Sequence, residues 1–558
     1  MVKKLFNFLS KEIVGLHEAA YLLGFFAICS QLLALVRDRI LASEFGAGNV
    51  LDIYYSAFRI PDIIFVTVAS IVSVSVLIPF LMERMEKGEV EAKKFIDTVF
   101  SFYFIFVSTV GIVAYIFTPY LMAKLFPLFF GTESFGELVK LSRILLLSPV
   151  FLGFSNLLAS ITQLNRRFFL YAVSPVMYNI GIIFGIKFLY PIFGLSGLGF
   201  GVIIGTIFHF LIQVPYIFNQ GMFPRFSFPI KFQFIKNIVL TSLPRTITVS
   251  ANEIAELFLI SFASFFVVGS ISIFNFSFNL QSVPFSIIGI SYSLAAFPTL
   301  TRLFSSGNRE KFVEQMIMSS RHIVFWSIPV SVLFIVLRAQ IVRTILGAGR
   351  FNWDDTRLTA AALALFTFSL VAQNLVTLFV RSYYSQGKTK TPLIMNVLSA
   401  GIIVVSSYYF IHLFKTSFYF KFFIESLMKV SDIPGTIVLM LPLGFSFGLF
   451  INLIVHWWGF VRHFPSFSRP VLKTFFQTLS SSVIMGYVAY LCLGYFDGVF
   501  DINTLVGIFL QGFVSGVIGI IIGIFVLYLL KSEELKEVWT TLHHKIWKAK
   551  IIPPDPEL

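Results

Sequence analysis

Apolar residues fall in long blocks along this chain, broken by short polar stretches. About fourteen blocks reach the roughly 20 residues that a helix needs to cross a hydrocarbon layer. Their approximate cores are 19–36, 53–80, 95–118, 141–163, 171–193, 195–217, 238–263, 273–300, 319–337, 359–380, 392–413, 436–458, 471–494 and 503–530. The first block ends in charge, and the fifth and sixth are divided only near 194. The connecting stretches are short; even the longest, such as 338–358 and 414–435, run about 20 residues, too few for a soluble domain. The pattern predicts an all-α polytopic membrane protein.

Composition supports lipid as the solvent. Of 558 residues, 57% are hydrophobic and only 13% are charged, and the mean hydropathy is +0.86. A water-soluble fold of this length has no means of hiding so much apolar surface. The 70 phenylalanines read as lipid-facing and helix-packing bulk. Cys29 and Cys492 both fall inside apolar blocks, which suits packing thiols better than a disulfide.

The blocks repeat. Ser174-Pro175-Val176-Met177-Tyr178-Asn179 follows the pair Arg166-Arg167. About 217 residues later, Thr391-Pro392-Leu393-Ile394-Met395-Asn396 follows Arg381, Lys388 and Lys390. Each reads as a basic loop entering a helix that starts Ser/Thr-Pro, where the missing proline N–H has no partner to lose. Ile78-Pro79-Phe80 and Phe297-Pro298-Thr299 close matched blocks in the same way, each before a charged, glycine-containing turn. The chain divides accordingly into a first six-helix lobe (1–220), a second (221–465), two additional helices (466–531) and a basic tail (532–558). Six helices per lobe makes the two copies parallel, related by an axis along the membrane normal. Pro61, Pro79, Pro284 and Pro298 lie in the matched second and eighth blocks and read as hinges for alternating access or as static bends.

A net charge of +14 raises the question of nucleic acid. With the N-terminus inside, however, the inner loops and both tails hold roughly 27 Lys and Arg and the outer loops roughly 11. That asymmetry is the signature of an inserted multi-pass protein, so no nucleic-acid partner is expected and both termini are placed in the cytoplasm. The basic stretch Met1–Lys11 lacks a small-residue cleavage site and reads as a retained signal anchor. One outer loop disobeys, with Arg338, Arg343, Arg350 and Arg357; local pairing with Asp354 and Asp355 would account for it. The tail carries Lys536, Lys545, Lys548 and Lys550 and suits an amphipathic helix on anionic headgroups. His543-His544 is too sparse a ligand set to predict a metal. No P-loop, HExxH or nucleophile elbow is present, and no catalytic residue, metal or cofactor is expected.

Charge inside the apolar blocks is the informative anomaly, because it is costly unless paired or wet. Arg37-Asp38-Arg39 closes the first block. Asp52, Arg59 and Asp62 lie in or beside the second, with Asp52 and Arg59 seven residues apart on one face. Arg143 opens the fourth. Pro244-Arg245, Asn252, Glu253 and Glu256 lie in the seventh. One reading is a water-filled cavity between lobes in which Arg37, Arg59 and Arg245 face an anionic group, since guanidinium grips phosphate in a bidentate way. The other is internal arginine–carboxylate pairing that fixes helix positions. Glu253 and Glu256 are candidates for proton or cation coupling, or for pairing with Arg245.

These residues bring the chain close to a known family. Arg37-Asp38, Phe45-Gly46-Ala47-Gly48, Asp52 and Ala57-Phe58-Arg59-Ile60-Pro61 resemble the first two helices of the MurJ/MviN family, the lipid II flippases of the MOP superfamily. Pro298-Thr299-Leu300 through Ser306-Gly307-Asn308 resembles that family's eighth helix and following loop. Further similarity lies in Ile341-Val342-Arg343, Gly349-Arg350-Phe351, Asp355-Thr356, Ser382-Tyr383-Tyr384-Ser385 and Lys388-Thr389-Lys390-Thr391-Pro392. The resemblance spans about 30–400. It implies translocation of an undecaprenyl-diphosphate-linked peptidoglycan precursor from the inner to the outer leaflet of the bacterial cytoplasmic membrane. It also implies a cationic cavity for the diphosphate, a groove at the last two helices for the lipid tail, and driving by membrane potential or an ion gradient. Cell-wall synthesis proteins would be possible partners.

The site carries over unevenly. Arg37, Asp38 and Asp52 match the family pattern, and Arg59 matches a basic position. Gln31 replaces an arginine of the first helix, while Phe65-Val66 and Ser70-Ile71-Val72 replace an arginine and a Glu-Gly-Ala segment of the second. Phe278-Asn279 stands where the family has Asp-Arg, and Leu259 where some members carry an acidic cation ligand. Arg245 and Arg39 are candidates to compensate. The expected substrate contacts are therefore Arg37, Asp38, Asp52, Arg59, Arg245 and Asn279, with Asp38 and Asp52 orienting the arginines. The expected coupling residues are Glu253, Glu256 and Asn396. Two alternatives stand beside this reading. One is a flippase for another lipid-linked oligosaccharide or a multidrug exporter of the same superfamily, in which carboxylates would dominate the cavity. The other is a non-transporting scaffold for cell-wall enzymes.

Overall fold

A computed structural model describes residues 16–68, 72, 74–230 and 232–547. All regular structure among them is helical. Among the described residues, eleven helices are long and apolar enough to cross a bilayer, or twelve if the pair Trp353–Phe368 and Leu370–Ser385, bent by 42°, is one crossing. The fourteen expected from the sequence exceed that number by the first two blocks. The first is a helix of 30 residues, Leu16–Phe45, which runs straight through Arg37-Asp38-Arg39. It stops at Gly46, where φ is +66° and an added Cβ would lie 2.9 Å from the Arg350 carbonyl oxygen. The second is not one helix. Its described helices are Asn49–Ala57, Arg59–Val68 and Val74–Glu86, and the first two part at Phe58, just ahead of Pro61, whose ring clashes with the carbonyl four residues back, at Ala57.

The helices pack into two compact units. One holds Met1–Leu280, Ile345–Ala362 and Thr389–Gly448; the other holds Gln281–Thr344, Leu363–Lys388 and Leu449–Leu558. These boundaries do not follow the sequence-order lobes at 220 and 465, since a unit of packing and a unit of repetition need not coincide.

Within the first unit, glycine sets the closest helix contact. Phe168–Phe184 and the π-helical turn Gly185–Leu189 pack on Leu195–Leu211. A Cβ on Gly181 would stand 2.3 Å from Gly205, and one on Gly201 would stand 2.4 Å from Gly185. Small residues four apart let two backbones meet in lipid, where packing rather than the hydrophobic effect drives association. The same device recurs where Gly444 meets Ser407 and Gly448 meets Ile403. The repeated Ser-Pro element differs from expectation: Pro175 lies inside Phe168–Phe184 rather than in its first turn. Pro392 does lie in the first turn of Lys390–Thr416.

The second unit is centred on Leu300, Phe312, Ile323, Leu375, Phe379, Phe460 and Phe467, all buried. Pro284 immediately precedes a π-helical turn at Ser286–Ile290, a known way to bend a helix. The last crossing helix, Leu505–Leu529, leads into the tail helix Glu533–Trp547. Arg321 ties that helix down, through Nη2 to Glu533 at 2.6 Å and Nε to Glu534 at 2.6 Å. So the described part of the tail begins with an acidic clasp. Its expected basic residues Lys548 and Lys550 lie outside the described residues, as does the stretch Met1–Lys11, and nothing is described of the Lys545, His543 or His544 side chains. Cys29 and Cys492 are free thiols, partly buried.

Candidate functional site

The first unit gathers most of the intramembrane charge into two clusters. Arg37 donates from Nε and Nη2 to Asp38 Oδ1, at 2.9 and 2.8 Å, and from Nη1 to Asn179 Oδ1 at 3.1 Å. Asp38 also accepts from Asn279 Nδ2 at 3.1 Å. Neighbours along a helix point about 100° apart, so Arg37 must fold back to reach Asp38. Asp38 is buried, whereas the Arg37 side chain keeps 19% of its surface exposed. Three sequence-predicted residues, Arg37, Asp38 and Asn279, therefore meet. Asn179, the repeat's own asparagine, joins them.

Arg59 heads the second cluster. It is 8% exposed and its guanidinium is fully engaged: Nη1 donates to Glu256 Oε1 at 2.7 Å, Nη2 to Asn275 Oδ1 at 3.4 Å, and Nε to the Tyr55 carbonyl at 3.2 Å. Asp62 and Glu253 add to the negative field around it. Glu253 and Glu256, one helical turn apart, thus converge on Arg59, the partner the sequence reading did not consider for them. Among the described residues the cluster holds three carboxylates against one guanidinium. The expectation of an Arg59 offered to an anionic ligand is not met in this conformation, because a buried guanidinium beside carboxylates pairs with them.

Asp52 departs further. It accepts from Gly269 N at 2.6 Å, Ser272 N at 2.8 Å and Ser272 Oγ at 2.6 Å. It shares a helix face with no arginine partner and instead satisfies the orphan amides at the start of Ser270–Phe285. Its assignment as an orienter of arginines is corrected to an anchor of that helix. Arg39 donates to the Ile345 carbonyl at 3.1 Å and is held away from the Arg37 cluster. Asn396 is buried. Arg245 lies on the helix Phe232–Ala263, but its side chain is outside the described residues. Arg143 is set apart, stacked 4.4 Å over the Tyr115 ring. Arg357, of the disobedient loop, forks onto Asp432 at 2.7 and 2.6 Å, while Asp355 accepts from Asn352 N; the local pairing expected there is replaced by a longer-range one.

The sequence reading missed Asn275 and Ser272. A signal was present: Ser272, Asn275 and Asn279 sit at spacings of three and four in an apolar block, which puts one polar stripe on one helix face.

Eleven or twelve helices able to cross a membrane, among the described residues, define the class, a multi-pass α-helical membrane protein. The fold agrees. A solved structure of "Lipid II flippase MurJ, inward closed conformation" superposes with a TM-score of 0.72 at 23% identity, covering 93% of this chain and all of that one. An inward-facing multidrug resistance MATE family transporter of the MOP superfamily reaches 0.61 at 18% identity, covering 77% and 94%.

The chain belongs to the lipid II flippase MurJ family: the family's sequence model, described as "Lipid II flippase MurJ", matches residues 41–511. Among curated relatives, the probable lipid II flippase MurJ of Thermotoga maritima is 26% identical over 528 residues, covering 93% of this chain and 97% of the relative. That of Buchnera aphidicola subsp. Schizaphis graminum is 27% identical over 407 residues, covering 71% and 77%. The lipid II flippase MurJ of Burkholderia cenocepacia is 23% identical over 413 residues, covering 72% and 79%. The family is one of flippases, not of enzymes.

Proposed function

We propose that this chain carries lipid II, the undecaprenyl-diphosphate-linked peptidoglycan precursor, from the inner to the outer leaflet of the bacterial cytoplasmic membrane by alternating access. The observation that carries the reading is the family match over residues 41–511, together with a Thermotoga maritima relative that aligns over nearly its whole length. Arg37 is the proposed diphosphate contact. Its side chain is more exposed than that of Arg59, and its partners Asp38 and Asn179 are ones it exchanges for phosphate oxygens when substrate arrives. Asn279 holds Asp38 through that exchange. Arg59 with Glu256 and Glu253 forms a charge-coupled element whose protonation or ion occupancy links the cycle to the membrane potential or an ion gradient, with Asn396 as a further contact. Both termini are cytoplasmic in this reading, the last two helices guide the lipid tail, and any cell-wall synthesis partner docks on the basic inner loops.

A second reading is an exporter of cationic compounds. The three carboxylates around Arg59 favour it, as does the MATE-like fold. One experiment separates the two. The host's own flippase is depleted, this chain is supplied, and lipid II is detected leaflet by leaflet. The proposal expects outward movement with the wild type and at least a tenfold loss with Arg37→Ala. If wild-type protein leaves the precursor on the inner face while conferring tolerance to lipophilic cations, the exporter reading stands in its place.

A further inference from the structure

We propose that the second unit carries a seat for an anionic phospholipid, in an apolar groove whose wall residue Trp458 also carries Arg462. The groove encloses about 780 Å³. Four helical stretches wall it: Arg309–Val336, the bend at Phe368 with the helix that follows, the end of Met440–Val461, and Ser468–Phe496. Its lining is almost wholly apolar. Phe368, Ile454, Trp458 and Leu472 stay exposed along it, so the groove opens on the surface of the unit and is not a closed core void. An apolar cleft of this size is filled by something, and in a bilayer the available filler is an acyl chain.

The cation beside that wall is what selects. Arg462, one residue past the last helical residue Val461, places its guanidinium 3.5 Å from the centroid of the Trp458 ring. Trp458 is itself a wall of the groove. Arg462 is exposed, and among the described residues no carboxylate lies within ion-pair distance of it. The neighbouring cations differ: Arg321 and Lys473, on the tail side of Ser468–Phe496, are answered by Glu533 and Glu534. A guanidinium seated over an indole can still turn N–H donors to phosphate oxygens in a fork. Tryptophan and arginine together also suit the headgroup level of a membrane.

The wall behind them is stiff. Trp457 Nε1 donates to Ser468 Oγ at 3.1 Å, joining two of the helices, and Trp457 packs edge-on against Phe379 and Phe467. The wall is therefore preformed, and the seat we infer pairs a phosphate at Arg462 with acyl chains in the groove. A lipid with a phosphate and no ammonium fits; a zwitterionic head would bring its own cation against Arg462.

Native mass spectrometry of the full chain, titrated with phosphatidylglycerol or with phosphatidylcholine of the same acyl chains, tests the seat. Wild type should take up phosphatidylglycerol with about fivefold preference, the worth of one basic residue at a charged surface. Arg462→Gln should bring the two lipids within about twofold of each other, and Leu472→Trp, which fills the groove, should lower uptake of both. Fluorescence reads the same seat without a charge change: brominated phosphatidylglycerol should quench wild type more than Trp458→Phe. Equal uptake of both lipids by wild type, or an undiminished preference in Arg462→Gln, overturns the proposal. Displacement of phosphatidylglycerol by equimolar undecaprenyl phosphate also overturns it, by making the groove a polyprenyl site. None of these readouts depends on lipid II transport, so either proposal survives the failure of the other.

Discussion

At the scale of single residues, the protein shows how an intramembrane arginine is tolerated. Arg59 and Arg37 solve the same problem differently. Arg59 is fully enclosed, and three of its nitrogens find oxygen acceptors. Arg37 is tied mainly to its sequence neighbour and retains some exposure. Removing one partner of a buried ion pair leaves the other uncompensated, at about 3–5 kcal/mol, whereas removing both is far milder. Arg59→Gln and Glu256→Gln should each lower the melting temperature in detergent, and the double variant should recover most of the loss. Transport then decides the role. If the pair only positions helices, the double variant also recovers lipid II movement. If Arg59 takes part in coupling, stability returns while transport stays at least tenfold down. The sequence announced these residues by type but not by partner. Glu256 lies 197 residues from Arg59, and nothing in local spacing ties the two together. Asp52 misled for the same reason: seven residues from Arg59, it looked like a helical pair, but the helix breaks between them.

At the scale of elements, the apolar periodicity was readable wherever it was unbroken, and the blocks from 95 onward correspond to crossing helices or to the bent pair. The interruption of the second block at Phe58 could not be read because the block is mostly apolar despite Arg59 and Asp62; only Pro61 hinted at it. Glycine contacts were written in the sequence but not in the hydrophobic pattern. Gly197, Gly201 and Gly205 recur every four residues opposite Gly181 and Gly185. Gly201→Leu should force the two helices apart and cost about 1–3 kcal/mol or more, seen as a lower melting temperature and less folded protein in the membrane. Gly401→Ala is the control. Nothing lies within 4 Å of its added Cβ, so it should be neutral or stabilising by up to about 1 kcal/mol.

The tail helix offers a pH test at the same scale. Hydrogen bonds from Arg321 hold the Glu533 carboxyl below its ordinary 4.5. Burial raises Glu534, but hydrogen bonds from Thr474, Ser532 and Arg321 outweigh it and leave that carboxyl lowered as well. A carboxylate lowered in the docked state adds stability that is complete above its free value and disappears as pH falls through the docked value. Hydrogen exchange in Glu533–Trp547 should therefore be flat from pH 8 to about 5, after correction for intrinsic rates, and should accelerate below about pH 4. Glu534→Gln should show the faster exchange already at neutral pH, by about 1.5–3 kcal/mol.

At the scale of the whole molecule, the open question is how many times the chain crosses. Eleven helices qualify without reserve, and an odd number would put the termini on opposite sides. Contacts within the first unit argue for fourteen. The turn after the first helix meets three other turns: Asn49 Nδ2 donates to Ser134 Oγ at 2.8 Å, Arg350 N donates to the Ser43 carbonyl at 2.9 Å, and a Cβ on Gly269 would stand 2.3 Å from the Ala47 carbonyl oxygen. Counting fourteen crossings from a cytoplasmic N-terminus places all four turns outside. If the first two helices stayed in the inner interface, the turn at 46–48 would lie a full hydrocarbon thickness of roughly 30 Å from the others. On that count the charges of the first two helices would be carried across in pairs, which is what a bundle interior permits and lipid does not. With Cys29 and Cys492 replaced by serine, Asn49→Cys should react with a membrane-impermeant maleimide in intact cells. A cysteine at Gln220 or His463 should react only after lysis. Labelling of Asn49→Cys that also waits for lysis would return the first two helices to the inner face, and external labelling at His463 would make the bent pair Trp353–Ser385 a re-entrant loop.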